Sequence, residues 1–121
     1  MEFIKADEII NLSNPGVVSK QLLNPDNSKS ESVTITEVHL EVGAIQPRHS
    51  HKNSEQIWYC VKGSGKLLIA DNEEKAFSSG DVVRFEKGDI HGIKNDSNNE
   101  LIYISVTSPP INFSSAYENK E

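Results

Sequence analysis

The chain has 121 residues, 36% of them hydrophobic and 25% charged, ordinary values for a globular chain with room for one modest core. Lys and Arg number 12 against 18 Asp and Glu, giving a formal net charge of −6 with no basic cluster, so nucleic acid and anionic membrane surfaces are not expected as partners. No segment reaches the roughly 20 apolar residues of a membrane span, residues 1–8 carry no signal-like apolar stretch, and Cys60 has no second cysteine to pair with, which makes the reducing cytoplasm the expected location.

Along the chain, residues 6–12 come first. Asp7 stands in a first turn, Ile9, Ile10 and Leu12 follow, and Pro15-Gly16 lies beyond, a pattern that predicts a short N-terminal helix. From there the chain reads as strands, expected over 17–23, 32–42, 56–61, 66–70, 75–77, 82–85, 91–94 and 101–106. Turn sequences separate them, among them Asn24-Pro25-Asp26-Asn27, Gly63-Ser64-Gly65, Ser79-Gly80-Asp81 and Lys87-Gly88-Asp89. Many short strands without alternating helices predict an all-β antiparallel sandwich or barrel.

Within 32–42, Val33 and Ile35 are odd-numbered whereas Val38, Leu40 and Val42 are even. One face cannot hold both sets at period 2, so a bulge near Thr36-Glu37 is expected. In 56–61 an inward Gln56 takes Trp58 and Cys60 with it and sends Ile57, Tyr59 and Val61 to the other face. Both sets are apolar, so both faces require cover, and burial is the expected state of Cys60. In the last strand Tyr103 and Ser105 share one face and Ile102, Ile104 and Val106 the other. The expected organisation is an arm over 1–30 packing on a barrel of 31–109, then a polar tail over 110–121, loosely held beyond Tyr117.

Three of the four histidines carry the chemistry. His49 and His51 are one residue apart, so on an extended segment both imidazoles project to one face and can share a metal ion. Glu55 and Gln56 follow the loop Lys52-Asn53-Ser54, the first offering an anionic oxygen and the second a neutral amide oxygen. His91 arrives after Gly88-Asp89-Ile90, where antiparallel packing can set it opposite the pair. Imidazoles with at most one oxygen donor suit a divalent transition metal (Fe, Ni, Mn, Co, Cu or Zn) better than Mg or Ca. A lone histidine in a strand, such as His39, reads as an ordinary polar residue.

The stretch Gly43-x5-His49-x-His51-x3-Glu55-Gln56-x6-Gly63 resembles the first cupin motif, Gly-x5-His-x-His-x(3,4)-Glu-x6-Gly. The stretch Gly80-x5-Glu86-x-Gly88-x2-His91-x3-Asn95 resembles the second, Gly-x5-Pro-x-Gly-x2-His-x3-Asn. Glu86 stands where the family has proline. The count back from Gly63 favours Gln56 in the family's glutamate position, with Glu55 as the alternative, and alternation then turns Glu55 outward. The resemblance implies a double-stranded β-helix, or jelly-roll barrel, with the metal and a small-molecule ligand inside one end. It also implies a homodimer, for which the apolar arm from Phe3 to Leu12 is the candidate contact.

Three functions remain open on these grounds. The first is a metal-dependent oxygenase, isomerase or lyase acting on a small polar molecule. Some small cupins with a His-His-Gln-His set act on sugar acids, and this chain resembles them in size and spacing. The second is a non-catalytic binding or sensing barrel, and the third a structural metal site. No general base is evident in the sequence, and Tyr103 is the candidate proton-handling group. Arg48 is expected to point away from the metal.

Overall fold

The computed structural model describes residues 1–116 together with 119 and 120. Its strands are β1 (Ile10–Asn14), β2 (Val17–Leu23), β3 (Thr34–Leu40), β4 (Ile45–His49), β5 (Glu55–Lys62), β6 (Ser64–Ile69), β7 (Glu74–Ser78), β8 (Val82–Phe85), β9 (His91–Lys94), β10 (Leu101–Ser108) and β11 (Asn119–Lys120). They pair into a seven-stranded sheet, β11-β1-β2-β3-β10-β5-β8, and a four-stranded sheet, β4-β9-β6-β7. Every pairing is antiparallel. The predicted all-β jelly roll is the observed architecture. No helix among the described residues is long and apolar enough to cross a membrane.

The core lies between the sheets, where Leu40, Trp58, Cys60, Phe77, Ile93 and Leu101 are each at most 2% exposed. Burial pushes the Cys60 thiol pKa up, as expected for a packed, unreactive cysteine. Strand β5 alternates as its sequence predicts. Gln56, Trp58 and Cys60 are buried, while Ile57, Tyr59 and Val61 face outward and are exposed in the single chain. The cover expected for that second face is therefore not supplied by the described residues.

Two expectations are corrected. The N-terminal helix is only a 3-10 turn at Ala6–Glu8, and the apolar residues after it form β1, with Leu12 buried against β2. Pro15-Gly16 closes the β1–β2 hairpin instead of stopping a helix: Pro is second and Gly third in the turn, with Gly16 at φ +79°, the type II pattern. The bulge predicted near Thr36-Glu37 is absent from β3, which pairs with β10 in unbroken register from Thr34 to Leu40. The irregularity lies in β2, between Gln21 and Leu23. The inward face of β3 consists of Thr34, Thr36, Val38 and Leu40; two of those four are polar, so apolar residues alone misreport its phase.

Strand β4 was not foreseen, because Pro47 and Arg48 interrupt any apolar pattern. It lies at the edge of its sheet, where proline is tolerated. Gly92 sets how closely β9 approaches it. A Cβ there would meet Gln46 O at 2.6 Å, Pro47 C at 2.8 Å and Arg48 N at 2.9 Å, so only glycine permits this spacing. His49 and His91 are register partners across that contact.

Candidate metal centre

His49 ends β4, His51 sits two residues on in the following loop, and His91 opens β9. Each offers a ring nitrogen within 4.8 Å of those of the other two, and the ring centroids lie 4.3–5.2 Å apart. The two sequence motifs are tied together by their backbones: Gly88 N–H donates to His51 O at 2.8 Å. In the second motif the turn that lacks the family's proline is closed by Asp89, whose carboxylate accepts from Glu86 N–H at 2.8 Å. Asn95 is 1% exposed and donates through Nδ2 to Leu40 O and Asn99 O, a structural role behind the site.

The hydrogen bonds around the rings fix what they can donate. His49 Nδ1 lies 2.9 Å from Pro47 O and His91 Nδ1 lies 2.9 Å from Asp89 O. A carbonyl only accepts, so each Nδ1 carries the proton and each Nε2 keeps its lone pair. His51 Nε2 and His91 Nε2 are buried without a hydrogen-bond partner among the described residues. Burial lowers the pKa of His51, aided by the nearby His49, and lowers that of His91 to about 4. Both rings are thus neutral near pH 7. Orphaned, neutral imidazole nitrogens aimed at one point fit a transition metal ion, and backbone partners on the opposite nitrogens are the usual support for such ligands.

Gln56 and Glu55 part company. Gln56 is buried on the inner face, lines the same cavity as His49 and His51, donates from Nε2 to Thr107 Oγ1 and accepts at Oε1 from Trp58 Nε1. Glu55 lies on the outer face in an ion pair with Arg84 at 3.3 Å. Arg48 also points away, donating to Ile69 O and Glu73 O. His39 stands apart from the cluster, on the outer face between Glu37 and Glu100, at 3.5 and 3.6 Å.

The cavity beside the histidines has a volume of about 250 Å3. Trp58 and Tyr103 stack in its wall with centroids 4.5 Å apart, and the Tyr103 hydroxyl donates to Gln46 Oε1. At its mouth the chain beyond β10 crosses the opening. Ser54 Oγ holds Pro109 O, Thr34 Oγ1 accepts from Ile111 N–H, and Asn14 Nδ2 donates to Ala116 O. That crossing brings Phe113 edge-on to His51 at 6.0 Å. Phe113 and Gln46 were missed in the sequence, since one lies in a polar tail and the other in an unforeseen strand. The expected loosening of the tail beyond Tyr117 falls largely outside the described residues.

The Cupin domain family pattern matches residues 36–107, more than half of the chain. The chain belongs to the cupin family. This cupin is 29% identical over 99 residues to an uncharacterized protein of Methanocaldococcus jannaschii, covering 82% of this chain and 78% of the other. It is 31% identical over 64 residues to the pectin degradation protein KdgF of Dickeya dadantii, covering 53% of this chain and 57% of that one. Among solved structures, KdgF from Halomonas sp. superposes with a TM-score of 0.76 at 22% identity, over 92% of this chain and 96% of the other. That last likeness is one of fold. Within the cupin barrel, the histidine cluster is the feature that bears on chemistry.

Proposed function

We propose that this cupin is a metal-dependent enzyme acting on a small sugar-acid-like molecule, with His49, His51, His91 and Gln56 as donors to one divalent transition metal ion. The observation that carries the reading is the convergence of three imidazoles, two with buried and unpartnered Nε2 atoms, beside a cavity large enough for a small ligand. A bound ion supplies Lewis acidity to a ligand oxygen, and the neutral Gln56 amide leaves its charge undiminished. Among the described residues no lysine or arginine lines the cavity, so of the described groups it is the metal that would supply the counter-charge of an acid. Similarity to a protein named for pectin degradation supports the sugar-acid class. Tyr103, in the cavity wall, is the residue proposed to orient the ligand or exchange a proton with it.

The test is elemental analysis of protein purified without affinity tag or chelator, followed by NMR of uronic and aldonic acids incubated with it. A stoichiometric transition metal and a consumed sugar acid are the expected results. Protein that retains no metal and alters none of the acids overturns the reading. A second reading, a non-catalytic binding barrel, is favoured by one observation: among the described residues no carboxylate or lysine lines the cavity as a general base. A sugar acid that binds and is recovered unchanged would select it.

We further propose that two copies pair through the outer face of the seven-stranded sheet. Ile57, Tyr59, Val61 and Val82 are 37–64% exposed there, and a contiguous apolar surface of this kind marks an interaction site. The N-terminal arm, with Phe3 at 79% exposure, extends the apolar surface available to a partner. The cytoplasm is the proposed location, supported by the single, buried thiol of Cys60.

A further inference from the structure

The inner face of the large sheet is laid out in rows that cross the strands. One row runs Thr34–Thr107–Gln56, the next Gln21–Thr36–Ser105–Trp58. The first row is saturated: Gln56 Nε2 donates to Thr107 Oγ1, Thr34 Oγ1 donates to Thr107 O, and Ile111 N–H donates to Thr34 Oγ1. The second row is not. Thr36 and Ser105 are each 5% exposed as residues, and neither hydroxyl has a hydrogen-bond partner among the described residues, though neither is sealed from solvent as the His51 and His91 Nε2 atoms are. Both open onto the cavity that His49 and His51 also line.

A hydroxyl that makes no hydrogen bond within the protein and faces an open cavity is left to water or to a ligand. Two of them stand side by side on paired strands and face one cavity, uncommitted to the protein and available to what enters. Each hydroxyl offers one donor and two acceptor positions, so the pair complements groups that both donate and accept, which are hydroxyls. Their place in the cavity is set by register. Ser105 is the register partner of Trp58, whose ring stands 5.5 Å from that of His91, and Thr36 follows on the next strand, one further from Trp58.

We propose that Thr36 and Ser105 form a hydroxyl-recognition subsite that binds the end of the ligand remote from the histidine cluster. The ligand class is then a small polyhydroxy acid, acid end at the histidines, hydroxylated end at Thr36 and Ser105, with the Trp58–Tyr103 stack beside its carbon skeleton. The proposal rests on the metal-site reading above for the acid end only.

The test compares D-galacturonate, which carries remote hydroxyls, with glycolate, which carries an acid and one adjacent hydroxyl. Both are titrated calorimetrically into wild type, Thr36→Val and Ser105→Ala, and metal content is measured on the same samples. Wild type is expected to prefer galacturonate, and each variant to lose about fivefold to tenfold in galacturonate affinity while glycolate shifts by less than about twofold. The ligand-free variants are expected to melt close to the wild-type temperature, because each substitution removes a hydroxyl that bonds no described residue and faces the cavity. That readout separates a ligand subsite from a structural hydroxyl: a lower melting temperature in both variants overturns the proposal. So does a preference that survives both substitutions, which would leave the hydroxyls serving water alone, and so does a wild type that does not prefer galacturonate. If the protein takes up no metal, the metal-site reading fails separately. The subsite is then judged on galacturonate titrated into the metal-free protein, where weakening in the variants supports it and no binding or equal binding overturns it.

Discussion

At the scale of single residues, the distinction that matters is between imidazoles that converge on one another and the one that stands alone. Ring nitrogens of His49, His51 and His91 lie within 4.8 Å of one another, whereas His39, whose Nε2 is likewise buried without a hydrogen bond, stands apart between Glu37 and Glu100. His49→Ala, His51→Ala and His91→Ala are each expected to weaken metal retention by more than about a hundredfold, since even outer-shell partners are worth about 10–100-fold. His39→Ala should leave retention unchanged; competition with a chromophoric chelator measures all four. The neighbours Glu55 and Gln56 should separate in the same assay. Glu55→Ala breaks only a surface pair with Arg84, a contact worth about 0–1 kcal/mol, and should keep the metal. Gln56→Ala should lose affinity. Gln56→Glu should hold the metal while weakening an anionic ligand, because it subtracts one charge from the site. Equal metal loss from Glu55→Ala would mean that the fourth donor has been assigned to the wrong residue.

At the scale of elements, the site depends on how closely β4 lies on β9. Gly92 is the residue that permits it, with three backbone atoms of β4 standing 2.6–2.9 Å from where a Cβ would be. Gly92→Ala is expected to cost about 2–3 kcal/mol in urea unfolding, as overpacking does elsewhere, and to lower metal affinity with it by parting His49 from His91. This contact is also where the sequence was least legible. The His-x-His and Gly-x-x-His spacings announced the cluster, and the alternation in β5 placed Gln56, Trp58 and Cys60 inward. Strand β4 gave no such signal, because an edge strand with one exposed face and a proline has no apolar period to read. The same limit applied to β1, whose isoleucines and leucine suit a helix or a strand until Pro15-Gly16 is recognised as a hairpin turn. In β3 the inward threonines hid the phase of the strand: Thr36 lines the cavity and Thr34 accepts from Ile111 N–H, so neither position called for an apolar side chain.

For the whole molecule, the unanswered requirement is cover for the outer face of the large sheet. Light scattering at micromolar concentration is expected to give twice the chain mass. Tyr59→Lys and Val82→Lys together should give the monomer mass with an unchanged far-UV spectrum, because both side chains are exposed in the single chain, at 46% and 64%. A monomeric wild type would instead leave the patch open and the pairing proposal without support.

The crossing of the barrel mouth by residues 109–116 has a kinetic meaning. Its tethers run to Ser54, Thr34 and Asn14, and none of its described side chains belongs to the buried core, so releasing it costs far less than opening the barrel. Segments of that kind open by local unfolding on their own. The dwell time of a ligand is then governed by the fraying of this segment as well as by its bond to the histidine end. Amide exchange should register it as fast deuteration of residues 111–116 against a slow barrel, with the difference narrowing when the cavity is filled.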